Sequence, residues 1–85
     1  MSRLKITVRR KHIRKGDPQD DGSCPIALAL IDKGYCSPSV GSETTFYTDG
    51  DKRYTSNLPR SARRFVSSFD AGRKVKPFSF FLNIY

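Results

Sequence analysis

Residues Ser23 to Gly34 read Ser-Cys-Pro-Ile-Ala-Leu-Ala-Leu-Ile-Asp-Lys-Gly, an uninterrupted apolar run that begins and ends as a helix does. Pro25 suits the first helical position, where its missing N–H costs nothing, and Ser23 or Cys24 precedes it as the cap. Gly34 can take the left-handed conformation that closes the helix, with Lys33 beside the negative end of the dipole. Ile26, Ala27, Leu28, Ala29, Leu30 and Ile31 leave no polar face, so this short helix must be covered on most sides by other elements. The remaining chain is its cover. A sequence of 85 residues supplies one such core and no second, so residues 1–85 read as a single α+β domain.

The cover can be followed in order. Leu4, Ile6 and Val8 alternate with Lys5, Thr7 and Arg9, the period of a strand with one face buried. The period is lost from Arg10 to Lys15, where a single helical turn pinned by Ile13 is expected before Gly16 and Asp17-Pro18 end the segment. A polar loop to Ser23 follows, with Asp20 and Asp21 ahead of the positive end of the central helix. Tyr35 to Pro38 reads as a turn region. Ser39 to Thr48 suits a strand, and Asp49-Gly50-Asp51 is a hairpin signal that pairs Thr44–Thr48 with Lys52–Ser56. Asn57 or Leu58 caps a second helix with Pro59 at its first position. Leu58, Ala62, Phe65, Val66 and Phe69 then form one apolar stripe, and Gly72 stands where the C-terminal cap belongs. After Pro77, Phe78, Phe80, Leu82 and Ile84 alternate with Ser79, Phe81, Asn83 and Tyr85 as a final strand.

The resulting order is β-α-β-β-α-β. It predicts a roughly four-stranded sheet carrying two short helices on one face, with a ferredoxin-like topology as the first choice and another α+β arrangement of the same elements as the second.

Charge narrows the class of partner. Sixteen Lys and Arg against eight Asp and Glu give +8 at pH 7, which favours encounter with polyanions: nucleic acid, nucleotides or an acidic protein surface. No window approaches the ~20 apolar residues of a membrane span, and the basic start runs into an alternating pattern unlike a signal peptide, so a cytoplasmic protein without membrane contact is expected. Cys24 and Cys36 bracket the central helix. About nine helical residues at 1.5 Å rise hold them roughly 14 Å apart, which argues for two reduced thiols. Two cysteines and one histidine cannot supply a four-ligand zinc site within the chain, and no cofactor is implied.

Three basic clusters stand out. Arg9, Arg10, Lys11, Arg14 and Lys15 form the first, Arg60, Arg63 and Arg64 the second, and Arg73, Lys74 and Lys76 the third. Arginine forks grip phosphate with paired hydrogen bonds, and Tyr47 and Tyr54 on the hairpin can add stacking on bases. The competing reading makes the helical arginines the wet face of an amphipathic helix and the tyrosines sheet filler. A catalytic pairing of Cys24 with His12 as base lacks a third group to orient the imidazole, and His12 reads better as a capping or packing residue. The aspartates around Pro18 and Gly50 match no calcium loop and are explained by turn chemistry.

Cys24-Pro25-Ile26-Ala27-Leu28-Ala29-Leu30, the upstream His12-Ile13 with Gly16, and Leu58-Pro59 leading through Arg64-Phe65-Val66 to Phe69-Asp70-Ala71-Gly72 and Val75-Lys76-Pro77-Phe78 resemble a family of small phage and prophage proteins without an established function. The matched positions are chiefly structural and bring no catalytic residue. The resemblance implies a phage-encoded accessory protein in the host cytoplasm, engaged in counter-defence or interference with a host process. Combined with the charge pattern, the sequence points to a non-enzymatic binder of a nucleotide-based anion, nucleic acid before a sequestered small nucleotide. The alternative is an inhibitor that docks on an acidic host protein, and a homo-oligomer is compatible with either.

Overall fold

A computed structural model describes residues 2–18 and 22–84. Among these residues five strands and three helices follow one another as β1 (Ser2–Val8), α1 (Arg10–Lys15), α2 (Pro25–Asp32), β2 (Cys36–Val40), β3 (Thr44–Asp49), β4 (Lys52–Asn57), α3 (Arg60–Asp70) and β5 (Phe78–Ile84). The strands form two antiparallel sheets, a β1–β5 ribbon and a three-stranded β2–β3–β4 sheet. The architecture is α+β, as the sequence predicts, but the single four-stranded sheet is corrected to two sheets and the order gains a helix and a strand. The ferredoxin-like arrangement is corrected too. It would set the first strand inside the sheet, whereas β1 pairs with β5 and it is β5 that lies beside β4.

In the ribbon the alternation of both strands decides the register. Val8 faces Phe78, Ile6 faces Phe80 and Leu4 faces Leu82, so each apolar side chain meets another and a one-residue slip would turn all of them to water. The two sheets are joined by side chains: the Ser56 hydroxyl donates to the Asn83 carbonyl at 2.9 Å and accepts from the Tyr47 hydroxyl at 2.9 Å.

The central helix starts and stops where expected. Cys24 is its cap, its Sγ accepting the Ala27 N–H at 3.4 Å, and Pro25 is the first helical residue. Gly34, at φ 106°, closes it as Tyr35 N–H reaches back to the Leu30 carbonyl. Ile26, Ala27 and Leu30 are fully buried, so the helix is covered on most sides as expected, with Ile31 left 47% exposed. The helix sits between β1, β2 and α1, and its Leu28–Ile31 side opens on a depression.

Before it, the expected single turn is a six-residue helix, α1, whose end is pressed against the start of α2. A Cβ on Gly16 would lie 2.6 Å from Pro25 Cδ, so only glycine fits this junction.

The turn region expected at Tyr35 to Pro38 is instead largely strand. A β-bulge between Cys36 and Ser39, with Ser37 at φ 49°, lets Pro38 sit in an edge strand without a ladder bond. The α3 stripe of Leu58, Ala62, Phe65, Val66 and Phe69 is buried as predicted, although the cap is Pro59 itself, one residue later than expected. Phe65 stacks on Phe69 and on Phe78, which fixes α3 against β5. Buried side chains from the helices and both sheets belong to one core cluster. No helix among the described residues is long and apolar enough to cross a membrane.

Candidate functional site

The first basic cluster is built around a buried histidine. His12 is 4% exposed, and its Nδ1 accepts the Arg9 backbone N–H at 2.8 Å, closing the start of α1 in place of a side-chain cap from Arg9. A ring nitrogen that accepts a backbone N–H carries no proton, so the other nitrogen must: Nε2–H donates to Asp32 Oδ2 at 2.6 Å. Both ends of the imidazole are thereby committed, one to α1 and one to the last residue of α2. Lys11 Nζ reaches the same oxygen at 3.0 Å from the exposed side. The hydrogen bond from His12, and after it that from Lys11, holds the Asp32 carboxyl below its ordinary value, so it is ionised and satisfied.

This linkage sets α1 across the end of β1 and leaves a chain of shallow depressions around it. One of about 410 Å³ is lined by Thr7, Arg9, Lys11, His12, Ala29, Asp32 and Lys33. Thr7 and Arg9 also line a second, of about 390 Å³, with Val8, Arg10, Pro77, Phe78 and Ser79. A third, of about 210 Å³, continues from Lys11, His12 and Asp32 to Lys15, Leu28 and Ile31. Lys15, Lys11, Lys33, Arg9 and Arg10 thus line depressions that share residues, a basic track in which Asp32, the carboxylate of the lining, is already matched by Lys11 and His12.

The residues singled out from the sequence fall into four groups. Arg9, Arg10, Lys11 and Lys15 line the track, and Arg14 is exposed on the same helix. Arg73, Lys74 and Lys76 are exposed in the segment that enters β5, and Pro77, next to Lys76, lines the far end of the track because Val8 and Phe78 are ladder partners. Arg60, Arg63 and Arg64 are exposed on α3 and line none of these depressions, and Arg63 Nε–H is occupied by the Leu58 carbonyl at 2.8 Å. For Tyr47 the stacking role gives way to that of sheet filler. Tyr47 is 1% exposed with its hydroxyl on Ser56, and its ring is stacked with Tyr54 at 5.4 Å and meets Tyr35 edge-on at 5.0 Å. Its ring faces are spent inside the protein, and Tyr54 is half-buried against it.

In the sequence Lys33 is marked only as a helix-end charge, and Asp32 is not marked at all. The signal available for Asp32 was its place on the turn of α2 preceding the cap, which is meaningful only once α1 is known to cross that helix.

The Cys24–His12 pairing is not what the fold assembles. Cys24 is buried and caps α2, while His12 is held by Arg9 and Asp32. Cys24 and Cys36 are not joined in a disulfide. Among the described residues no group of three or more His, Cys, Asp or Glu side chains is gathered as a metal ion would require, and Asp20 and Asp21 lie outside the described residues. No protein-family model, curated protein or solved structure matches the chain.

Proposed function

We propose that this chain is a non-enzymatic binding module for a phosphate-bearing, nucleotide-based ligand, and that nucleic acid is the ligand it suits best. The observation that carries the reading is the basic track around α1, in which Arg9 lines two depressions at once. A polyanion needs a succession of cations along a path, and here each depression hands over to the next through a shared basic residue. Contacts of this kind give affinity that falls steeply with salt and carries little sequence preference. A setting comes from the resemblance to phage proteins: an accessory protein acting in the host cytoplasm on a defence or other host process.

Retardation of short DNA and RNA at rising salt tests the reading. The wild-type protein should bind at low salt, and Arg9→Ala with Arg10→Ala should lower the slope of log affinity on log salt by about two. Absence of binding at low salt would overturn it.

A second reading, sequestration of one small nucleotide, is favoured by the size of the depression beside His12, about 410 Å³, which falls within the usual ~300–1,000 Å³ of small-molecule sites. It requires a rise in melting temperature with one nucleotide and not with its relatives. An inhibitor of an acidic host protein would instead retain a host partner on an affinity column and show neither effect.

A further inference from the structure

We propose that the outward face of the β1–β5 ribbon is a stacking platform for single-stranded nucleic acid, with Phe81 as the ring that receives a base and Arg3 and Lys5 as its phosphate contacts. This rests on the reading above and adds to it the strand state of the ligand and a second face of the molecule.

Phe81 stands in the interior of β5 between Phe80 and Leu82, which are 4% and 0% exposed, yet is itself 48% exposed. The core does not need it, since Phe78, Phe80 and Leu82 already fill the inward side of the strand. Its ladder partner is Lys5, and the Arg3 guanidinium lies 4.9 Å from the ring centroid. A planar, delocalised cation therefore occupies the position over the ring that a base takes in stacking, and its displacement by a base frees the arginine fork for phosphate. Neither strand contains an Asp or Glu, so the ribbon itself contributes no carboxylate to repel a polyanion.

The geometry separates single strands from duplex. Bases in a duplex have their faces covered by their neighbours, so an aromatic ring on an open sheet face can stack only on bases that are splayed out. The ribbon is seven residues long, roughly 20 Å at strand rise, and at its Val8–Phe78 end it meets the track at Arg9 and Arg10. A strand laid on Phe81 can continue into that basic end without leaving the protein. The other exposed phenylalanine on a sheet, Phe46, has the uncharged Ser39 and Thr55 as ladder partners and serves as the internal comparison.

The test is fluorescence anisotropy with a labelled oligothymidylate of about 12 nucleotides, a length inside the ~4–16 used by small single-strand modules, alongside a hairpin duplex. Phe81→Ala should weaken single-strand binding about 5- to 100-fold and leave duplex binding unchanged. Phe81→Leu, which keeps apolar bulk but has no π face, should lose as much, while Phe46→Ala should lose nothing. Unchanged single-strand affinity in both Phe81 variants, or an equal loss from Phe46→Ala, overturns the platform. If those results accompany a salt slope that still falls with Arg9→Ala and Arg10→Ala, the basic track stands and only the platform goes. If the wild-type protein binds neither oligonucleotide at low salt, both fail together.

Discussion

His12 Nε2 and Asp32 Oδ2 are 2.6 Å apart across 20 positions of sequence, and this one hydrogen bond fastens the basic helix α1 to the end of the central helix. Replacing His12 by Ala removes the bond, the α1 cap and a buried ring together. A loss of about 2–4 kcal/mol in chemical denaturation is expected, the sum of a core truncation and a lost cap. If the track depends on the placement of α1, oligonucleotide affinity should fall in the same variant at temperatures where the fold persists.

Asp32 gives the linkage a pH signature. Its folded pKa lies below the ordinary carboxylate value, so its contribution to stability is complete above pH about 4 and is lost as the pH falls through the lowered folded value. Asp32→Asn should flatten the acid limb of the stability–pH curve. Urea melts at a series of pH values between about 2 and 5 measure this directly.

The contact of Gly16 with Pro25 leaves no space for a methyl group. Since the obstacle is proline ring and backbone, Gly16→Ala must push α1 away from α2, at a cost of about 1–3 kcal/mol. Gly50→Ala makes a useful contrast, because nothing lies near that Cβ and the cost comes from φ 62° alone. A structure-sensitive probe of α1, such as amide exchange at Ile13, should respond to the first substitution and not to the second.

Ser56 joins the two sheets. Ser56→Ala strips the Tyr47 hydroxyl of its acceptor and the Asn83 carbonyl of its donor, and a loss of about 1–3 kcal/mol follows from leaving the buried hydroxyl unmatched. Tyr47→Phe on the Ser56→Ala background should recover part of it, since the unmatched group is then gone. A double-mutant cycle on thermal melts reads the coupling.

On α3, Arg63→Ala should cost about 0.5–1.5 kcal/mol because its Nε–H satisfies the Leu58 carbonyl, while Arg60→Ala and Arg64→Ala should stay within about 0.5 kcal/mol. None of the three should change oligonucleotide affinity as much as Arg9→Ala, since none lines the track. Stability and binding measured on the same three variants separate the two roles.

Elements whose signals are local were legible in the sequence. Pro25 and Gly34 bounded α2, the stripe from Leu58 to Phe69 gave α3, and the two-residue alternation gave both ribbon strands with their inward faces. What escaped was whatever depends on a distant partner. Pro38 reads as a strand breaker until the Ser37 bulge is seen to excuse it from the ladder. The neighbour of β1 is decided by where β5 returns, not by anything within Leu4 to Val8. For the site, the cluster from Arg9 to Lys15 was visible as charge, but the track was not, because it is made where α1 is tied down on Asp32. Tyr47 stays ambiguous in the sequence for the opposite reason: alternation along β3 allows either face inward, and the buried partner Ser56 that draws the hydroxyl inside lies on the next strand.

The ribbon ends the sheet at β1, whose ladder partner among the described residues is β5. Such a border is a template on which another molecule's strand can add, and Lys5 and Arg3 place like charges where two copies would meet. The cations that invite a polyanion are then also the guard against self-templated fibre growth. Neutralising them would cost solubility before it cost the fold, so any variant selected for weaker ligand binding at this face inherits a tendency to aggregate.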